Sequence, residues 1–139
     1  MSAEKFLEIL EGDKEIALAT SVGNVPNVRI VNVCCKPGQP GVLLFMSSRD
    51  NHKVEEFAQN DTVAFTSVPK EGIAHVRSVR AVVRKSALTL KDVEQLFVSA
   101  IPDYGETIAA IGDTLDVFEI RVTKTMIITG FGEPEWVEF

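Results

Sequence analysis

The stretch Val42-Leu43-Leu44-Phe45-Met46-Ser47-Ser48-Arg49-Asp50-Asn51-His52-Lys53 joins an apolar strand to the start of a helix. We expect Arg49, His52 and Lys53 in the first helical turn, followed by two glutamates. Cations at a helix N-terminus oppose the helix dipole. A bound phosphate would remove this conflict, because backbone N–H groups, two serine hydroxyls and the basic side chains could all face it. The alternative is a serine-capped surface helix with solvated charges.

A second basic residue lies on an earlier apolar strand. Residues 28–35 are apolar on both faces except at Arg29 and Asn32. A buried arginine needs a partner, because its guanidinium cannot lose its charge. Three partners are possible for Arg29: a bound anion, one of the many carboxylates of the chain, or water at the edge of a sheet.

The composition predicts one soluble domain over residues 1–139. A net charge of −6 without a basic segment argues against nucleic-acid binding. The apolar runs are too short for a membrane span, and the N-terminus does not resemble a signal peptide. Cys34 and Cys35 are adjacent in a strand and point to opposite faces, so we expect reduced thiols and a cytoplasmic protein.

The order of the elements predicts a mainly β fold. Six or seven strands are joined by short turns, and helices follow the third and fifth strands. This is not the regular alternation of a parallel sheet, so we predict an antiparallel barrel with helices packed outside it. The predicted strands cover residues 16–22, 28–35, 42–46, 62–68, 73–85, 115–123 and 126–129.

Several chemistries lack their sequence signatures. His52 and His75 have no metal-ligand spacing and the cysteines form no C-x-x-C pair, so we predict no metal site. The nucleophile elbow of esterases, the P-loop and the dinucleotide fingerprint are also missing. If the protein is an enzyme, we therefore expect a bound cofactor to carry the reaction.

The residues quoted above, taken together, resemble the FMN-binding split-barrel family. The resemblance rests on Pro26–Val31, Leu44–Ser48 and the helix start at Asn51–Lys53, and it covers residues 8–86 well. That family includes pyridoxamine 5′-phosphate oxidase and the general stress protein 26 type. The resemblance implies a split β-barrel with Greek-key character and a homodimer with FMN between its subunits.

The resemblance also implies a set of cofactor-binding residues. Arg29 and Lys53 would bind the FMN phosphate with His52 beside them, and the charge of His52 would depend on pH near neutrality. The strand segments would line the ring and the ribityl chain, and they comprise Arg29, Ile30, Val31, Asn32, Phe45, Met46, Ser47 and Ser48. Ser78 or Arg80 would approach the flavin from the partner subunit. Trp136 would either stack near the flavin or plug the end of the barrel, and we favour the plug.

The predicted function is that of an FMN-dependent oxidoreductase acting on an unidentified small molecule or electron donor. The sequence ends at Phe139 without the basic C-terminal segment of the true oxidases, so we do not expect activity on pyridoxamine phosphate. Two alternatives are a non-catalytic flavin-binding or stress-response protein, and a split barrel that binds haem or another small ligand.

Overall fold

The computed structural model describes residues 2–139, without the side chains of Ser2 and Val79. Its helices and strands follow one another along the chain as α1 (Ser2–Gly12), β1 (Glu15–Val22), β2 (Val25–Asn32), β3 (Cys34–Cys35), β4 (Val42–Ser48), α2 (His52–Gln59), β5 (Thr62–Ser67), β6 (His75–Lys85), α3 (Leu90–Ala100), α4 (Tyr104–Ile111), β7 (Leu115–Ile128) and β8 (Glu135–Glu138). A short 3₁₀ turn at Gly112–Thr114 separates α4 from β7.

The strands form one antiparallel sheet in the order β2-β1-β5-β6-β7-β4-β3, and β8 adds to β7. The mainly β barrel with flanking helices is therefore confirmed. Two strand predictions were wrong in detail. The strand expected at residues 28–35 is divided into β2 and β3, and the turn expected at Lys124-Thr125 lies inside the continuous strand β7.

The barrel closes through the segment that contains β2 and β3. Residues 25–32 pair with β1 at one end of the sheet, whereas Cys34 and Cys35 pair with Leu44 and Leu43 at the other end. Between them, the N–H of Val33 donates to the carbonyl of Lys14 over 2.8 Å. Because the segment changes partners, β2 and β4 approach each other without forming a ladder. The barrel is split at this point.

Strand β4 is buried on both faces, which explains its uninterrupted apolar sequence. Leu43 and Phe45 point into the barrel, where the ring of Phe45 stacks on Phe118 at 5.4 Å between centroids. Leu44 and Met46 point the other way and pack in a second cluster with α3. The strand thus holds the helix layer against the barrel.

Helix α2 begins at His52, three residues later than the sequence suggested. Asn51 caps it, since its side-chain oxygen accepts a hydrogen bond from the N–H of Lys53 over 3.0 Å. Arg49 lies before the helix and donates to the carbonyl of Asp113 over 3.0 Å. The predicted conflict of charges was therefore overstated, because Arg49 lies outside the helix and the imidazole of His52 faces Glu55 at 3.6 Å.

Candidate functional site

A cavity of about 390 Å³ lies at the split, between β2, β4, the start of α2 and the α3–α4 hairpin. From the strands and α2 its lining includes Ile30, Val31, Asn32, Met46, Ser47, Ser48, Asn51 and Lys53. The two strand segments singled out in the sequence therefore meet at one cavity, together with the lysine of the helix start. We call it the split cavity.

The ammonium group of Lys53 is the charged group at the split cavity with the clearest need for a ligand. Burial lowers the pKa of Lys53, and the nearby charge of Arg29 lowers it further. Among the residues that the structure describes, no carboxylate lies within ion-pair distance of Lys53. An anion bound in the cavity would compensate this desolvated cation.

The backbone of β2 adds polar groups to the same cavity. Within the described chain β2 is the end strand of the sheet and pairs only with β1. The N–H and C=O groups of its other edge are therefore available around Ile30 and Asn32. Such an edge can bind the polar rim of a planar heterocycle, as it would bind another strand.

Arg29 is not part of the lining of the split cavity. Its guanidinium forms an ion pair with Glu56 of α2, and it donates to Thr20 Oγ1 over 2.9 Å and to the carbonyl of Leu18 over 3.2 Å. The structure thus shows the carboxylate partner that the sequence left as one alternative. Arg29 remains close enough to Lys53 to act on it through charge.

His52 and Phe45 also lie away from the split cavity. The side chain of His52 is 74% exposed and lines a separate cavity of about 370 Å³ with Pro26, Asn27 and Glu56. The side chain of Phe45 is fully buried in the barrel, so it supports β4 from inside. Of the cations expected at the phosphate, the structure therefore brings only Lys53 to the cavity.

The residues expected from the partner subunit lie on β6, outside the lining of the split cavity. Ser78 is buried at a bulge in β6, and its hydroxyl donates to the carbonyls of Arg80 and Lys124 over 2.9 and 3.0 Å. Arg80 is exposed at the same bulge. Trp136 is 50% exposed on β8, with the ammonium of Lys124 at 4.7 Å from its ring centre. The interpretation of Trp136 as a barrel plug was wrong.

The comparison with known families decides the assignment of this fold. A family model described as "Pyridoxamine 5′-phosphate oxidase-like" matches residues 9–134. The chain belongs to the pyridoxamine 5′-phosphate oxidase-like family. A search of curated proteins finds no match to the sequence.

Solved structures agree with this fold. A NimC/NimA family protein from Clostridium acetobutylicum aligns with a TM-score of 0.74 at 22% identity, over 99% of this chain and 92% of that chain. An FAD-binding protein from Mesorhizobium loti aligns with a TM-score of 0.65 at 14% identity, over 90% and 92%. A haem-binding protein from Mycobacterium smegmatis gives 0.71 at 15% identity, over 99% of this chain but 58% of that longer chain. At these identities the likeness concerns the fold alone.

One wall of the split cavity in this family member was not predicted. It comes from the α3–α4 hairpin and comprises Ile101, Pro102, Asp103, Tyr104, Thr107 and Ile111. Burial raises the pKa of Tyr104 to about 12, with a smaller contribution from Cys34, so its phenol stays protonated. Asp103 has a left-handed backbone with φ of 62°. The sequence indicated a helix at residues 103–111, but nothing in its pattern placed that helix over the split.

Two negative findings concern the residues described. No group of three or more His, Cys, Asp or Glu side chains there could hold a metal ion. None of the described helices is long and apolar enough to cross a membrane.

Proposed function

We propose that this protein binds FMN in the split cavity and acts as a flavin-dependent oxidoreductase on a small molecule. The observation that carries the proposal is the half-buried Lys53 ammonium at a cavity bounded by β2 and β4. A flavin phosphate offers the missing anion, and Ser48 and Asn51 add polar groups beside it. When bound, FMN would supply the electron-transfer chemistry, and the protein would bind and orient it.

The remaining lining suits the rest of the cofactor. Ile30 and Met46 offer apolar surface for a ring system, while the free edge of β2 offers hydrogen-bonding groups for its polar rim. The neutral phenol of Tyr104 can donate a hydrogen bond without adding charge. Arg29 would contribute through its charge behind Lys53, held in place by Glu56.

We further propose a homodimer that covers the outer face of the sheet. Across this face, register pairs place Ile30, Ala17, Thr66, Arg77, Met126 and Trp136 in one row. Val28 and Ile30 are 62% and 54% exposed there, which is unusual for neighbouring apolar side chains. Ile30 also lines the split cavity, so a partner seated on this face would close the cavity from outside and could add Arg80 to it.

A cytoplasmic location is part of the same proposal. Cys34 and Cys35 are free thiols. Reduced cysteines are the usual state in a compartment with a thiol-reducing system. Fractionation of cells that produce the protein would test this location.

The test is the visible spectrum of the purified protein, followed by titration with FMN. We expect a flavin spectrum or saturable uptake of FMN by wild type, and clearly weaker uptake by Lys53→Ala. A colourless protein that takes up no FMN would overturn the proposal, and a Soret band would support the haem alternative instead. Anaerobic mixing with NADH or NADPH then separates an oxidoreductase from a non-catalytic flavin protein, because only the former bleaches the flavin.

A further inference from the structure

A second and larger cavity, of about 830 Å³, lies between α1, the turn at residues 36–41 and α3. It shares no lining residue with the split cavity, whose volume is about 390 Å³. We call it the α1–α3 cavity. Its volume falls in the range of small-molecule sites. The proposed flavin chemistry makes no use of it.

The walls of the α1–α3 cavity are largely apolar. Leu7 comes from α1, while Leu96 and Ala100 come from α3, and all three are only partly covered by other side chains. Cys34 and Cys35 form part of the lining. Burial raises the pKa of both thiols, that of Cys35 to about 11, so both stay protonated at neutral pH. They therefore act as weakly polar packing surface rather than as nucleophiles or metal ligands.

The rim of the cavity is a tight turn that contains Pro37, Gly38 and Pro40. Gly38 has φ of 78°, a conformation that glycine adopts without strain. The two ends of the turn are joined by one backbone hydrogen bond, in which the N–H of Lys36 donates to the carbonyl of Val42 over 2.9 Å. A rim fixed by two prolines and a paired strand end loses little entropy when a ligand binds.

Three charged side chains line the cavity, and only one of them is a cation without a partner. The ammonium of Lys36 donates to Glu119 Oε2 over 3.0 Å, which satisfies its charge. Glu11 is exposed at the end of α1. Lys14 is partly buried, and in the described part of the chain no carboxylate lies within ion-pair distance of it. It lines the cavity together with both cysteines, and its charge opposes the rise in the pKa of both thiols.

We propose that the α1–α3 cavity binds a small amphipathic carboxylate, with its apolar body against Leu7, Leu96 and Ala100 and its carboxylate at Lys14. The cavity has apolar walls and one uncompensated cation, which is the complement of such a ligand. Glu11 lines the same cavity, and its carboxylate disfavours ligands that carry further negative charges. Binding of this ligand is non-covalent, so no bond is made or broken.

The test uses calorimetric titration with octanoate and, as the uncharged ligand of equal chain length, 1-octanol. We expect wild type to bind octanoate more tightly than 1-octanol. Lys14→Gln should weaken octanoate binding by about fivefold and leave 1-octanol unchanged, which is the size of effect expected for a solvent-accessible ion pair. Lys91→Gln, which removes an exposed lysine of α3 outside the cavity, is the matched control and should bind like wild type.

Two filling variants test the position of the ligand. Ala100→Phe on α3 and Leu7→Trp on α1 each put a larger side chain into the cavity, and each should abolish binding of both ligands. Circular dichroism confirms that a variant is folded, and FMN uptake should stay at the wild-type level in at least one of them. The proposal is overturned if wild type binds no octanoate, if Lys14→Gln binds it as wild type does, or if folded filling variants retain it.

Discussion

The guanidinium of Arg29 on β2 forms an ion pair with the carboxylate of Glu56 on α2. Glu56 is 5% exposed, so its charge is compensated inside the protein rather than by water. Thr20 and Leu18 of β1 accept further hydrogen bonds from the same arginine. The pair therefore fixes α2 against β1 and β2, and with it the position of Lys53.

The first prediction concerns the stability of that arrangement. Arg29→Ala should lower the free energy of unfolding by about 3 kcal/mol, because it leaves the carboxylate of Glu56 buried without a partner. Chemical denaturation of the flavin-free protein measures the loss. Arg29→Met/Glu56→Leu removes both charges and keeps apolar volume, so it should recover most of the stability. A single variant as stable as wild type would show that Glu56 is not buried in solution.

We predict that Lys53 lowers the stability of the flavin-free protein and strengthens the binding of FMN. Lys53→Met removes a desolvated cation next to Arg29, so it should raise the melting temperature of the flavin-free protein. The same change should weaken FMN binding by about 1.5–3 kcal/mol, the value of a charge-assisted hydrogen bond. Thermal melts with and without FMN measure both effects. His52→Ala, which removes the neighbouring exposed imidazole, is the control and should change neither quantity much. Unchanged FMN affinity in Lys53→Met would place the phosphate elsewhere.

The pH dependence of FMN binding follows from the same side chain. The pKa of Lys53 lies below its ordinary value of 10.5, so the ammonium loses its proton earlier as the solution becomes alkaline. FMN affinity should therefore fall as the pH rises through this lowered pKa. Lys53→Arg keeps its charge throughout that range and should shift the fall to higher pH. Fluorescence titration at a series of pH values measures this, and equal profiles for wild type and Lys53→Met would contradict it.

If the protein dimerises through the apolar face of the sheet, a charged residue placed on that face should make it monomeric. Val28→Asp places a carboxylate on that face at its β2 edge, outside the lining of the split cavity. Analytical ultracentrifugation should show a dimer for wild type and a monomer for the variant, with weaker FMN uptake because the site loses its outer wall. Val98→Asp, at a 40% exposed position on α3, should remain dimeric. A monomeric wild type at micromolar concentration would contradict the proposal.

The next prediction concerns the carboxylate of Glu119, whose contribution to stability should be lost in acid. Burial alone would raise the pKa of this β7 carboxylate, but hydrogen bonds from Lys36 and Ser86 outweigh burial and hold it below its usual 4.5. A lowered folded pKa stabilises the protein above the unfolded pKa, and this contribution is lost as the pH falls through the folded value. Glu119→Gln should therefore be less stable than wild type at neutral pH, and the difference should shrink below about pH 4.5. Glu94→Gln, an exposed change on α3, should show no such trend.

The strand pattern and the lysine could be read from the sequence because both are local signals. Residues 42–46 are apolar without interruption, which is typical of a strand covered on both faces, and the structure has that strand. Lys53 follows a serine pair at the end of that strand, so its place in the first turn of a helix was also visible, although the cap is Asn51 and not a serine. These features depend on residues that are close in the chain.

What the sequence did not reveal depends on packing between distant segments. The partner of Arg29 was one carboxylate among many until α2 was placed beside β1. The wall that contains Tyr104 carries no local sign that it faces a cavity. Trp136 lies outside the barrel because β8 pairs with residues 124–127 of β7 and turns this side chain away from the core. In each case the decisive contact joins elements that are distant in the chain, and the sequence pattern does not show how such elements are placed relative to one another.

The pairing of β4 with β7 has a consequence for how the chain folds. Apart from the short pairing of Leu43 and Leu44 with β3, residues 42–48 pair with residues 115–121. Such long-range pairing closes late, because a large loop must be ordered before any hydrogen bond compensates it. The hairpin of β1 and β2 can form early, but the space between β2, β4 and α4 cannot. A nascent chain that has not yet released β7 from the ribosome should therefore hold no flavin, and loading would be among the last steps of its maturation.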